Sequence, residues 1–187
     1  MLPSLCWRLD QDPGTTASAI IDLAPGTWSV VLTSDGAEVA EPVLQLTAAG
    51  EVPDGATDSI PTDLVVNLGE YVFDFPDNLP AGPQIWQLTN SHTVPHHLIL
   101  FGADRLYTAD EITGGLAALF MGTPPAEDGF VPAAFVLGTS LISGGVSTWI
   151  EADLEPGYYV AICFLPDPGG EDPHAFMGMV DSFEVTA

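Results

Sequence analysis

The chain has no lysine, and its basic side chains are Arg8 and Arg105 alone, set against 26 Asp and Glu residues for a net charge of −24. A surface of that sign repels phosphate backbones and anionic headgroups, so nucleic acid and lipid surfaces are poor partners, and a protein with a basic surface is the kind that would be steered in. Long apolar runs are missing too. Pro, Gly or an acid interrupts each stretch before the roughly 18 residues that a bilayer crossing needs, so no membrane-spanning segment is expected. The start, Met1 to Cys6, lacks a basic region and a long apolar region. It does not read as a signal peptide, and any targeting segment is expected to have been removed or to lie upstream. Cysteine is scarce, with Cys6 and Cys163 only, which is too few for a zinc finger and allows either one disulfide or two independent thiols. There is no Gly-rich phosphate loop in a useful context, no Gly-x-Ser-x-Gly elbow and no His-Glu-x-x-His.

What is present is a folding sequence. Of 187 residues 47% are apolar, enough to bury one sizeable core. The dominant period is two: Tyr71, Phe73 and Phe75 alternate with Val72 and Asp74, Trp86 and Leu88 with Gln87 and Thr89, and Tyr158, Val160, Ile162 and Phe164 with Tyr159, Ala161 and Cys163. These are strands with one face on a core, separated by turn signals at Pro76-Asp-Asn, Pro80-Ala-Gly82-Pro, Gly144-Gly145 and Pro156-Gly157. Thr108-Ala-Asp-Glu111 is a capping box followed by Ile112, Leu116 and Phe120 at helical spacing, which predicts a short helix over about 109–121. Residues 122–140 read as an irregular excursion. The fold class is all-β, an antiparallel Greek-key sandwich with one short helical insertion and an extra N-terminal β-hairpin.

That hairpin is suggested by an internal repeat. Asp22 to Leu32 aligns with Asp153 to Cys163 at an offset of 131, and Pro42 to Ala48 aligns with Asp181 to Ala187 at an offset of 139. Leu32 stands where Cys163 would be, so the first copy carries no metal ligands. Residues 1–48 are therefore expected to be a partial hairpin repeat, 49–62 a Gly-, Pro- and Asp-rich linker, and 63–187 the main domain.

The chemistry lies in two segments, Asn90-Ser-His92-Thr-Val-Pro95-His96-His97 and Cys163 to Met179, the latter containing His174, Met177 and Met179. A thiolate, two imidazoles and a weak thioether are the donors that suit a copper ion cycling between its two oxidation states. Taken singly, each of these side chains is ordinary core packing; together they fall where two parts of a sandwich meet at one end. His97 is expected on the face opposite His96, and His92 in a solvent-facing turn.

With Pro95 before His96, and with the series Cys163, His174 and Gly178-Met179, residues 63–187 resemble a cupredoxin of the plastocyanin type. The resemblance implies one copper ion held by His96, Cys163, His174 and Met179, with Met177 as rival for the axial position. It also implies an exported, non-enzymatic carrier passing single electrons to a protein partner, with His174 as the edge where the electron arrives. The His-Cys-His triplet and His-x-His pairs of multicopper oxidases are absent. One departure from the family is plain: ten residues separate Cys163 from His174, where such loops usually have two to four. Two other readings stay open at this point, a metal-free structural module and a Cu(I) chaperone without redox work.

Overall fold

The computed structural model describes residues 20–21, 26–30, 44–50, 60–167, 169–170 and 172–187. In chain order the elements are β1 (Ile20–Ile21), β2 (Gly26–Val30), β3 (Leu44–Ala48), β4 (Leu64–Leu68), β5 (Phe73–Asp74), β6 (Asn78–Pro80), β7 (Gly82–Asn90), β8 (Ile99–Ala103), α1 (Ala109–Phe120), β9 (Phe135–Gly138), β10 (Ser147–Leu154), β11 (Gly157–Ile162), a single 3₁₀ turn (His174–Met177) and β12 (Val180–Thr186). Thr62–Ala187 forms one compact unit and Ile21–Pro61 another. Within the latter, β2 and β3 pair antiparallel with Trp28 opposite Leu46. The Cys6 side of the cysteine question lies outside the described residues, as does most of the expected linker.

Residues 62–187 build a two-sheet sandwich, with strand orders β10-β7-β4-β5 and β6-β12-β11-β8-β9. Alternation along β7 is strict: Gln84, Trp86, Leu88 and Asn90 are buried and their neighbours are not. The inward residues meet those of β4, β10, β11 and β12 in one core containing Val66, Leu68, Trp86, Leu88, Ala161, Cys163, Met179 and Phe183. The sheets are not wholly antiparallel, because β4 pairs parallel with β7 and β12 pairs parallel with β6. Alternation fixes which face is buried but carries no information on strand direction; here the chain crosses between the sheets at β5 and β6 before it returns.

β11 also differs from a one-faced strand. Val160 and Ile162, opposite the main core, are buried in a second cluster with Ile112 and Leu116 of α1, Phe130, Ala175 and Val180. The helix covers that face. It starts at Thr108, whose hydroxyl accepts the Glu111 amide while the Glu111 carboxylate accepts the Thr108 amide at 2.7 Å, and Arg105 ties down the same carboxylate at 2.9 Å. Within the expected irregular stretch 122–140, Phe135–Gly138 forms the edge strand β9 on β8, with a shift of register between Leu100 and Phe101. Its brevity, exposure and bulge leave no periodic trace to read.

Candidate metal centre

His96 is placed by the turn that follows β7. Asn90, fully buried at the end of that strand, accepts the His92 amide (2.9 Å) and donates to the carbonyls of Val94 (2.8 Å) and Ile142 (2.7 Å). His96 and Ile142 then exchange both backbone hydrogen bonds, at 3.0 and 2.7 Å. From this anchor His96 turns into the core together with Leu98 and Leu100, all of them buried. His97 takes the other face, where its Nε2 accepts the Phe164 amide at 2.8 Å.

Cys163 leaves β11 on the same face as Tyr159 and Ala161 and is completely buried. Its thiol is free among the described residues. The ten-residue gap closes by folding out a small hairpin of its own: Pro166 bridges Pro173, the Asp172 carbonyl accepts the Asp167 amide at 3.4 Å, and the His174 amide donates to the Leu165 carbonyl at 2.7 Å. Removing the pinched-off residues 166–173 would leave only Phe164 and Leu165 between Cys163 and His174. The return is pinned to the strand end, with the Ala175 amide on the Cys163 carbonyl (2.9 Å), the Met179 amide on the His174 carbonyl (3.0 Å) and the Cys163 amide on the Met179 carbonyl (3.1 Å). Gly178, at φ 108°, supplies the left-handed residue that ends the 3₁₀ turn and sends Met179 inward. Met179 is fully buried beside Cys163 in the main core, whereas Met177 is 43% exposed.

Three donor atoms converge. Nδ1 of His174 lies 3.0 Å from Nδ1 of His96 and 3.5 Å from Sγ of Cys163, and one donor atom from each of the three buried residues falls within 4.8 Å of the others. Burial, followed by the neighbouring histidines, pushes His96 down to about 4; burial likewise holds His174 below its ordinary value, so both rings are neutral imidazoles at pH 7. Burial raises the Cys163 thiol to about 11, against the pull of hydrogen bonds from the His97 and Leu165 backbones that favour a thiolate. A soft sulfur and two neutral imidazoles, excluded from water, fit a copper ion by donor chemistry. The Gly69 backbone raises the His96 value against its burial, and Nε2 of His174 is buried without a hydrogen-bond partner, facing Asp167 Oδ1 at 3.9 Å.

Sequence reasoning misplaced or missed several groups around this cluster. His92 is not a solvent-facing turn residue: its ring stacks on His96 at 5.2 Å with Nδ1 3.1 Å from His96 Nε2, because the Asn90 hydrogen bonds fold the turn back over the site. His174 presents no exposed edge. Tyr71, expected within a strand, instead sits at φ 56° in the tight turn between β4 and β5. Its ring makes edge contacts with His174 (5.0 Å), His92 (5.3 Å) and His96 (6.2 Å), and its hydroxyl donates to Asp167. Neither Tyr71 nor Asp167 carries a local signal; only the meeting of the β4–β5 turn with the inserted hairpin reveals them.

No protein-family model matches this chain, and no curated protein does. Among solved structures it is similar to the reduced auracyanin of Roseiflexus castenholzii at 21% identity, over 66% of this chain and 96% of that one, with a TM-score of 0.43. Auracyanin A, a "blue" copper protein from Chloroflexus aurantiacus, is 20% identical over 65% of this chain and 98% of its own, with a TM-score of 0.42. The azurin of Methylomonas sp. strain J is 15% identical, over 66% of this chain and 96% of its own, with a TM-score of 0.39.

Proposed function

We propose that this chain is a cupredoxin-like, exported copper protein that carries single electrons through a type 1 mononuclear site formed by His96, Cys163, His174 and Met179. The observation that carries the reading is the convergence of one thiol and two imidazole nitrogens, all fully buried, at the end of a sandwich. A bound copper ion would supply the one-electron couple; everything else is the work of the protein. His96 and His174 are neutral imidazoles, so binding a metal requires no net loss of a proton from either ring. Cys163 must lose one, so loading is a proton-releasing event, and the backbone groups of His97 and Leu165 beside its sulfur favour the thiolate that results. Met179 would offer a weak thioether donor, buried where Met177 is exposed. The donors are fixed by β11, the His96–Ile142 bridge and two packed clusters, so little has to move when the charge of the site changes.

The electron's protein partner would be basic, since the chain's own charge is −24. His174 is fully buried, and the Tyr71 ring packs edge-on against it at 5.0 Å. The test is a titration of the metal-free protein with Cu(II). The expected result is one copper per chain and an intense visible thiolate-to-copper band that Cys163→Ser abolishes. A colourless protein without stoichiometric copper overturns the reading and favours a metal-free module, in which the 3.0 and 3.5 Å contacts among the three side chains are the site's resting hydrogen bonds. Cu(I) binding that survives Cys163→Ser favours the chaperone instead.

A further inference from the structure

The insertion between Cys163 and His174 is more than slack in a ligand loop. Its ends are clamped by the Pro166–Pro173 bridge, its turn is set by Gly169 at φ 91° and by the Gly170 amide on the Asp167 carbonyl (2.9 Å), and its first residue past the bridge is Asp167. The Asp167 carboxylate is fixed from a second direction by the Tyr71 hydroxyl, which comes from a turn 96 residues away. Thus held, Oδ1 stands 3.9 Å from Nε2 of His174, beyond hydrogen-bond length but near enough to act on that nitrogen through its charge. That nitrogen is buried and has no other partner among the described residues.

From this arrangement we propose that Asp167 and Tyr71 are positioning residues for His174: the clamped carboxylate favours the tautomer with its proton on Nε2 and so keeps Nδ1, the atom facing Cys163 and His96, free as a lone-pair donor. A neutral imidazole carries one ring proton, and a negative oxygen beside Nε2 draws it there. Without the carboxylate, Nε2 has nothing to donate to, while Nδ1 has His96 Nδ1 at 3.0 Å as an acceptor. The proton then moves to the ligating atom, and a metal must displace it. The inserted hairpin thereby makes the site ligand-ready, and Tyr71 holds the hairpin's carboxylate in place across the rings of the site.

The proposal rests on the copper reading for its purpose but not for its test. Nitrogen-15 NMR of the metal-free full-length protein reports the His174 tautomer directly. The expected result is a predominantly Nε2–H ring in the parent chain and a shift of population toward Nδ1–H in Asp167→Asn, with a smaller shift in the same direction in Tyr71→Phe, which leaves the carboxylate but releases it. In copper-loaded protein, Asp167→Asn should bind Cu(II) about 10-fold or more weakly, as loss of an outer-sphere partner does. A His174 tautomer that is the same in the parent chain and both variants overturns the proposal, as does an unchanged copper affinity in Asp167→Asn. If the parent chain takes up no copper, the functional reading fails, and the tautomer measurement still decides this one.

Discussion

At the residue scale, Pro95-His96-His97 shows how one position separates a donor from a brace. His96 faces the metal cluster, whereas His97 turns away and uses Nε2 to accept the Phe164 amide, one residue past Cys163. The bond requires a neutral ring. Burial is the main cause that lowers His97 from 6.5 to about 4, and His96 is lowered to about 4 by burial first as well. An unfolded chain takes up these protons near pH 6.5, and the folded chain only near 4. Between the two, the unfolded state binds more protons, so stability is present above pH 6.5 and is lost as pH falls through 4. Thermal scans of the metal-free protein should show the midpoint falling across that window, less steeply when His97 is replaced by a residue that does not titrate. A midpoint independent of pH there would contradict the burial of both rings. The alternation of faces at 96 and 97 was legible in the sequence; the hydrogen bond that gives His97 its task was not, since its partner lies 67 residues away.

At the scale of elements, α1 and the ligand loop share one cluster. Ala175 of the 3₁₀ turn packs with Ile112 and Leu116. The helix approaches so closely because Gly115 has no side chain: a Cβ there would lie 2.0 Å from the Phe130 carbonyl oxygen. At Gly114 a Cβ would meet nothing within 4 Å. Adjacent glycines should therefore respond with opposite signs in urea melts. Gly115→Ala is expected to destabilise by about 1–3 kcal/mol through overpacking, and Gly114→Ala to stabilise by roughly 0.5–1 kcal/mol through helix propensity. Equal effects at the two positions would mean that the helix does not dock on Phe130. The helix itself was legible, spanning Ala109–Phe120 against an expected 109–121, because a capping box and helical spacing are local. β9 and the hairpin at 166–173 were not, since neither has a periodic pattern and both exist only by pairing with something else.

For the whole molecule, a charge of −24 acts as a field on whatever approaches the site. In copper-loaded protein, the rate of electron exchange with a small cationic redox complex should fall as salt is raised, while that with an anionic complex should rise. Equal salt dependence for both, read by stopped-flow absorbance, would remove the basis for a basic partner. The sequence alone determined this charge, the strand periodicity, the helix and the kinds of donor atom, because composition, spacing and side-chain chemistry are properties of short stretches. The tertiary structure decided how those donors meet. His96 and His174 are 78 residues apart in the chain and 3.0 Å apart at Nδ1, the ten-residue gap folds itself out of the way, and Tyr71 and Asp167 close over the rings. These depend on which strands pair and which loops share an end of the sandwich, and no local pattern encodes that.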